Sequence, residues 1–195
     1  MGRDKAALVI DGEQLAERTA HLLLELAKPV IEIGPGYTSL PHTREDPPGS
    51  GPLAALAAGR AALDHRGHFG PVLVLGTDLP RLTAQFLQRL AEHPAPTPEH
   101  CVVPRDAHGR AQPVCARYSW AGLSRAPELV AAGHRSLMAL LQQVPVTWLD
   151  LAPGDEGVLH DVDTPEDLAQ LSAEGARVAR AAASAASAAS AAVPR

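Results

Sequence analysis

Carboxylates set just beyond apolar runs are the residues of this chain with the most chemistry to offer. Asp78 stands in "GTDLP", after the continuous apolar run from Val72 to Leu75. A carboxylate there can hold a cation in the crevice above a sheet, and it can equally serve an Asx-turn or a helix entry. Asp46 opens "DPPGSGPL", whose small residues let a ligand approach the main chain ahead of a helix N-terminus or form an ordinary surface loop. Asp161 and Asp163 lie in "HDVDTPEDL". There Thr164 can cap a helix, Pro165 can take its first turn, and Glu166 and Asp167 suit its dipole. Lys5, with Arg3 in "MGRDK", can neutralise phosphate as a point charge or lie solvated at a terminus.

Other reactive side chains form no comparable set. His65 and His68 have an i, i+3 spacing in "DHRGHFG" but no third ligand nearby, and read as surface residues. Spacing supports no Ser/His/Asp or Cys/His arrangement. Cys101 and Cys115 are too far apart for a CxxC motif and too few for a zinc site. They read as reduced, partly buried residues of a cytoplasmic protein.

These residues must be positioned by a fold, and the composition allows a substantial one. The chain has 195 residues, 46% of them hydrophobic, which suits one globular domain with a real core. Its formal net charge of −5 argues against a general nucleic-acid binder, which would carry a basic stripe. No apolar run approaches the roughly 18 residues that span a bilayer, and the N-terminus has no stretch of the signal-peptide kind.

Strand and helix patterns alternate along most of the length. "GEQLAERTAHLLLEL" puts Leu15, Thr19, Leu22, Leu23 and Leu26 on one helical face, with no strand before it. Pro29 ends that helix, "VIEI" reads as a strand, and Gly34-Pro35-Gly36 closes it. A second helix opens at Pro52. "VLVL" has the pattern of a strand buried on both faces of a parallel sheet. Thr83 can cap a helix carrying Phe86, Leu87 and Leu90. "HCVVP", "QPVCARY" and "VTWLDL" read as strands, and Trp120 to Gln143 as a helix broken near Gly133. The result is an α/β three-layer domain over residues 1–174. Residues 175–195, with "AAS" repeated, read as a frayed helix or disordered tail outside the functional domain.

In order and spacing, "MGRDKA", "DPPGSGPLAAL", "VLVLGTDLP", "RAQPVCARY", "AGHRSL" and "DVDTPEDL" resemble the MobA-like nucleotidyltransferases, specifically the molybdenum cofactor guanylyltransferases. The resemblance covers residues 1 to about 173. It implies a Rossmann-like fold with a mainly parallel central sheet. It also implies transfer of GMP from GTP to the terminal phosphate of molybdopterin cofactor, with release of pyrophosphate. Mg²⁺ would be the metal, and molybdoenzymes or other cofactor-pathway proteins the protein partners. Carried over by position, Lys5 contacts the nucleotide triphosphate, Asp46 binds nucleotide, and Asp78 binds magnesium. Asp161 and Asp163 lie close to the metal and phosphates, and Arg135 lies on the acceptor side.

The chain departs from the family pattern at Ala55, where a second glycine is usual, and at Asp161 and Asp163, where asparagine is usual. The base-contacting asparagine of some members is absent around Gly34. The family's first strand and its "LAGG" loop are also missing, so the charged triplet reads as the end of a phosphate loop encoded upstream of Met1. On that reading the strands holding Val30–Ile33 and Val72–Leu75 flank a gap, and the chain as written binds GTP poorly and aggregates. Two other functions fit the same residues. One is a cytidylyl- or sugar-nucleotidyltransferase of the same fold. The other is a non-catalytic protein that binds nucleotide or delivers the cofactor.

Overall fold

A computed structural model describes residues 5–10, 12–106, 108–155 and 157–162, together with Asp167 and Leu171. Arg3, Asp163, the helix expected at Pro165 and the tail from 175 lie outside the described residues. The first described elements are a short 3-10 turn (Lys5–Ala7) and a two-strand hairpin, β1 (Val9–Ile10) with β2 (Glu13–Gln14). The hairpin corrects the expectation of a helix with no strand before it. Gly12 takes φ 85°, a turn conformation that glycine adopts without strain. Helix α1 (Leu15–Leu26) follows directly.

Next come β3 (Glu32–Ile33) and β4 (His42–Thr43), paired in parallel, and helix α2 (Pro52–Asp64). They are followed by β5 (Val72–Leu75), α3 (Ala84–Glu92), β6 (Cys101–Arg105) and β7 (Cys115–Tyr118). The stretch from Trp120 breaks twice, into α4 (Trp120–Leu123), α5 (Ala126–Ala131) and α6 (Leu137–Leu141), before β8 (Val146–Asp150). Ser119 and Ser136 start two of these segments, their hydroxyls accepting the N–H groups of Gly122 and Met138. Thr83 caps α3 as expected, accepting from the Phe86 N–H at 3.2 Å.

The main sheet has the order β5-β7-β6-β8. Strands β5, β6 and β8 run the same way, and β7 lies antiparallel between β5 and β6. The mainly parallel sheet expected from sequence is therefore a mixed one. The reason is local: residues 106–114 between β6 and β7 are too few for a crossover helix. They fold instead on the Asp106 carboxylate, which accepts from the His108 and Arg110 N–H groups at 2.9 Å each.

Side chains alternate between two cores on opposite faces of this sheet. Val72, Val74, Cys101, Val103, Ala116 and Tyr118 pack toward α2 and α4–α6. Leu73, Leu75, Val102 and Cys115 pack toward α1 and α3. Both cysteines are free and fully buried, deeper than the partial burial expected. His68 is likewise no surface residue. It sits half-buried, edge-on to Trp120 at 5.9 Å between ring centroids.

Two strand edges border one apolar space. The Gly76 N–H donates to the Val114 carbonyl, so β5 turns the polar main chain of Val72 and Val74 to β7 and that of Leu73 and Leu75 outward. In β3, Glu32 and Gly34 donate to Pro41 and Thr43, so Ile31 and Ile33 turn theirs away from β4. No ladder joins β3 to β5. A cavity of about 190 Å³ lies along both strands, closed on its flanks by Ala20 and Leu23 of α1 and Leu56 and Leu63 of α2.

The loop leaving β3 is gathered by one side chain. The Glu32 carboxylate accepts the N–H groups of Gly36 and Tyr37 at 2.8 Å each, and the Thr38 N–H and hydroxyl at 2.9 Å each. Burial acts to raise its pKa, but the donors from Tyr37, Thr38 and Gly36 together hold it below the ordinary glutamate value. Glu32→Gln sets an NH₂ group against some of these donors and should cost about 1–3 kcal/mol. Because the folded pKa is lowered, this contribution is full above the unfolded value of about 4.3 and is lost as pH falls through the folded one. Urea melts of both forms at neutral and acidic pH check it: the gap between them should be wide at pH 7 and close at the acid end.

Candidate nucleotide-binding cleft

Asp78 is fixed from both sides. Before it, the β5–β7 ladder runs on through Gly76. After it, Leu79 and Leu82 are anchored in the core at 3% and 2% exposure. Its own carbonyl accepts the Val162 N–H at 2.9 Å. Its side chain folds back over Gly76, where a Cβ would come within 2.6 Å of the carboxylate Oδ1. Only a residue without a side chain leaves that oxygen its place. The bond from Val162 also seats Asp161, one residue earlier, beside the Asp78 main chain. The structure therefore brings the main chain at Asp161 close to that of Asp78.

The loop before α2 is built for a tight course. Gly49 and Gly51 take φ 81° and 100°. The Glu45 carboxylate accepts the Gly49 N–H at 2.8 Å, and the Ser50 hydroxyl donates to the Pro47 carbonyl at 2.5 Å. Asp46 is exposed on this loop. A Cβ at Gly51 would lie 3.2 Å from that of Arg135, and the Leu53 N–H donates to the Arg135 carbonyl at 3.1 Å. Arg135 is thus set against the Asp46 loop, with its side chain exposed. The same contact limits α2 as an anion site, since Pro52 has no N–H and that of Leu53 is already engaged.

These elements surround a cleft of about 400 Å³. Its wall includes Ala6, Gly34, Pro35, Tyr37, Arg44, Glu45, Gly49, Gly51 and Thr77. The residues singled out from sequence do not themselves line it; their neighbours do, Ala6 beside Lys5, Glu45 beside Asp46 and Thr77 beside Asp78. Lys5 starts the 3-10 turn and its carbonyl accepts the Leu8 N–H at 3.0 Å. Sequence reasoning missed Arg44 and Glu32. Arg44 was visible as a cation within the loop "TREDPP", whereas the work of Glu32 depends on how the loop after it closes.

The donors suit a hard cation. Asp78 and Asp161 offer carboxylate oxygens, and Mg²⁺ is commonly held by one or two carboxylates plus substrate phosphates and water. Among the described residues no three acidic, histidine or cysteine side chains form a complete metal cage. The buried thiols are not part of it. Desolvation raises both, Cys115 to about 12, so neither is a ready thiolate.

A family model described as the MobA-like NTP transferase domain matches residues 1–147. The chain is 30% identical over 182 residues to a protein of Nostoc sp. named "Probable molybdenum cofactor guanylyltransferase", covering 89% of this chain and 85% of that one. A protein of the same name from Mycobacterium tuberculosis is 33% identical over 148 residues, covering 72% of each. Among solved structures, molybdopterin-guanine dinucleotide biosynthesis protein A from Archaeoglobus fulgidus superposes with a TM-score of 0.68 at 18% identity, over 90% of this chain and 92% of that one. The 2-C-methyl-D-erythritol 4-phosphate cytidylyltransferase of Thermus thermophilus does so with 0.60 at 17%, over 88% and 93%. Both share its fold. The chain belongs to the MobA-like NTP transferase family.

Proposed function

We propose that this protein transfers GMP from GTP to the terminal phosphate of molybdopterin cofactor and releases pyrophosphate. The observation that supports the reading is the bond from the Val162 N–H to the Asp78 carbonyl, which returns the chain at Asp161 to the end of β5, in a chain whose relatives bear the guanylyltransferase name. Two buried, unpaired thiols suit a cytoplasmic location. Among the described residues no helix is long and apolar enough to cross a membrane.

The acceptor is a phosphate monoester, whose second pKa is about 6, so the nucleophile is already ionised and needs no catalytic base. The remaining barrier is charge crowding at the α-phosphate and the alignment of attack. Asp78 and Asp161 would hold Mg²⁺, with Asp163 assigned to the same group from sequence. Bound Mg²⁺ would neutralise nucleotide phosphate oxygens and favour departure of pyrophosphate. Lys5 would add a positive charge toward the β- and γ-phosphates, and Arg44, on the cleft wall, a second. The tight loop at Gly49 and Gly51 lets the nucleotide reach the main chain beside Asp46. Arg135, packed on that loop, would meet the acceptor phosphate.

Replacing Asp78 with Asn should lower Mg²⁺-dependent pyrophosphate release from GTP and molybdopterin by about 100-fold or more, with little change in melting temperature. Undiminished turnover would remove Asp78 from the metal site. Gly76→Ala should lower it as well, by displacing the same carboxylate. Nucleotide choice is read by thermal shift with GTP, CTP, ATP and UTP in the presence of Mg²⁺. Stabilisation by GTP above the others is expected; stabilisation by CTP alone would make the protein a cytidylyltransferase.

A further inference from the structure

After β8 the chain passes beneath α3 before it reaches Asp161. Midway stands Asp155, charged yet only 8% exposed. Its Oδ2 accepts Arg89 Nη2 from α3 at 2.5 Å and the Ala152 N–H at 2.8 Å. Arg89 spreads over the Phe86 ring, 5.4 Å from its centroid. Beyond Asp155, Val158 and Leu159 pack with Leu79 and Leu82 of the Asp78 loop. Gln112 Nε2 donates to the Leu159 carbonyl at 3.3 Å. Val162, 1% exposed, then makes its bond to the Asp78 carbonyl. These contacts link α3 to the bond between Val162 and Asp78.

An ion pair is a poor choice for stability in such a place. Part of the desolvation cost of the carboxylate is never recovered, and the Arg89 side chain is 40% exposed and screened. What a charged, directional contact adds is a defined geometry. We propose that Arg89 and Asp155 are positioning residues, whose ion pair holds the 155–162 segment so that Asp161 stands beside Asp78. The pair spans 66 residues of sequence and ties the start of this segment to α3. The metal-binding consequence rests on the guanylyltransferase reading; the structural part does not.

Two substitutions separate the pair from packing. Arg89→Met keeps an apolar stem over Phe86, and Asp155→Asn keeps an acceptor for the Ala152 N–H. Amide exchange is measured by NMR on the full chain, with the Mg²⁺ concentration for half-maximal pyrophosphate release and the melting temperature alongside. In each variant the Val162 amide should exchange about tenfold faster while the amides of β5 and α3 keep their protection. The Mg²⁺ requirement should rise about tenfold, Arg89→Lys should recover part of it, and the double variant should be no worse than either single one. Unchanged exchange at Val162 would overturn the proposal. So would faster exchange with an unaltered Mg²⁺ requirement, which would leave the pair purely structural. If the unsubstituted protein transfers no nucleotide, the guanylyltransferase reading fails alone, and Val162 exchange still decides whether the pair holds the segment.

Discussion

The hydrogen bond from the Val162 N–H to the Asp78 carbonyl is the contact through which two distant parts of the chain become one site. Asp78 arrives at the end of β5, the edge strand of the main sheet, and Asp161 arrives after the remaining strands of that sheet. The two stretches are joined through main chain, which carries no net charge. Apolar packing surrounds the bond, with Leu79, Leu82, Val158 and Val162 all buried.

The other constraint is the separation of β3 from β5. Each contributes to the same cleft, Gly34, Pro35 and Tyr37 after β3 and Thr77 after β5. An apolar space rather than a hydrogen-bonded ladder lies between the strands themselves. Their half-buried side chains follow from this. Strand β5 has the apolar run of a strand covered on both faces, and both faces are covered, but the row of main-chain groups at Leu73 and Leu75 borders the cavity. Helix α2 leans on this region at Gly59, where a Cβ would come within 2.4 Å of Ile33 Cδ1. The spacing of the two halves of the cleft is therefore set by helices pressed on the flanks.

Much of this was legible from residue patterns, for identifiable reasons. The periodicity of α3, the Thr83 cap, Pro52 at the start of α2 and the apolar run of β5 are local signals, and each element formed where its signal stood. The hairpin at Val9–Gln14 and the strand at His42–Thr43 were not legible. Strands of two residues carry no alternation to read, and β4 exists because Glu32 closes the loop that returns the chain to β3. The reversed course of β7 could have been suspected from the short connection before it. The meeting of Asp78 with Asp161, and that of Arg89 with Asp155, depends on tertiary approach across long stretches of sequence, which no local pattern encodes.

The electrostatics of the cleft follow from how its acidic residues are used. A chain of net charge −5 is a poor starting point for binding a nucleoside triphosphate, and carboxylates at the cleft would repel phosphate. Two of them are already engaged with the protein's own main chain. Glu32 gathers the N–H groups of Gly36, Tyr37 and Thr38, and Glu45 takes that of Gly49. Their negative charge is partly compensated by fixed donors and directed into the loop walls. Arg44 is a cation on a wall that is otherwise mostly small and apolar, and it offsets part of the overall negative balance there.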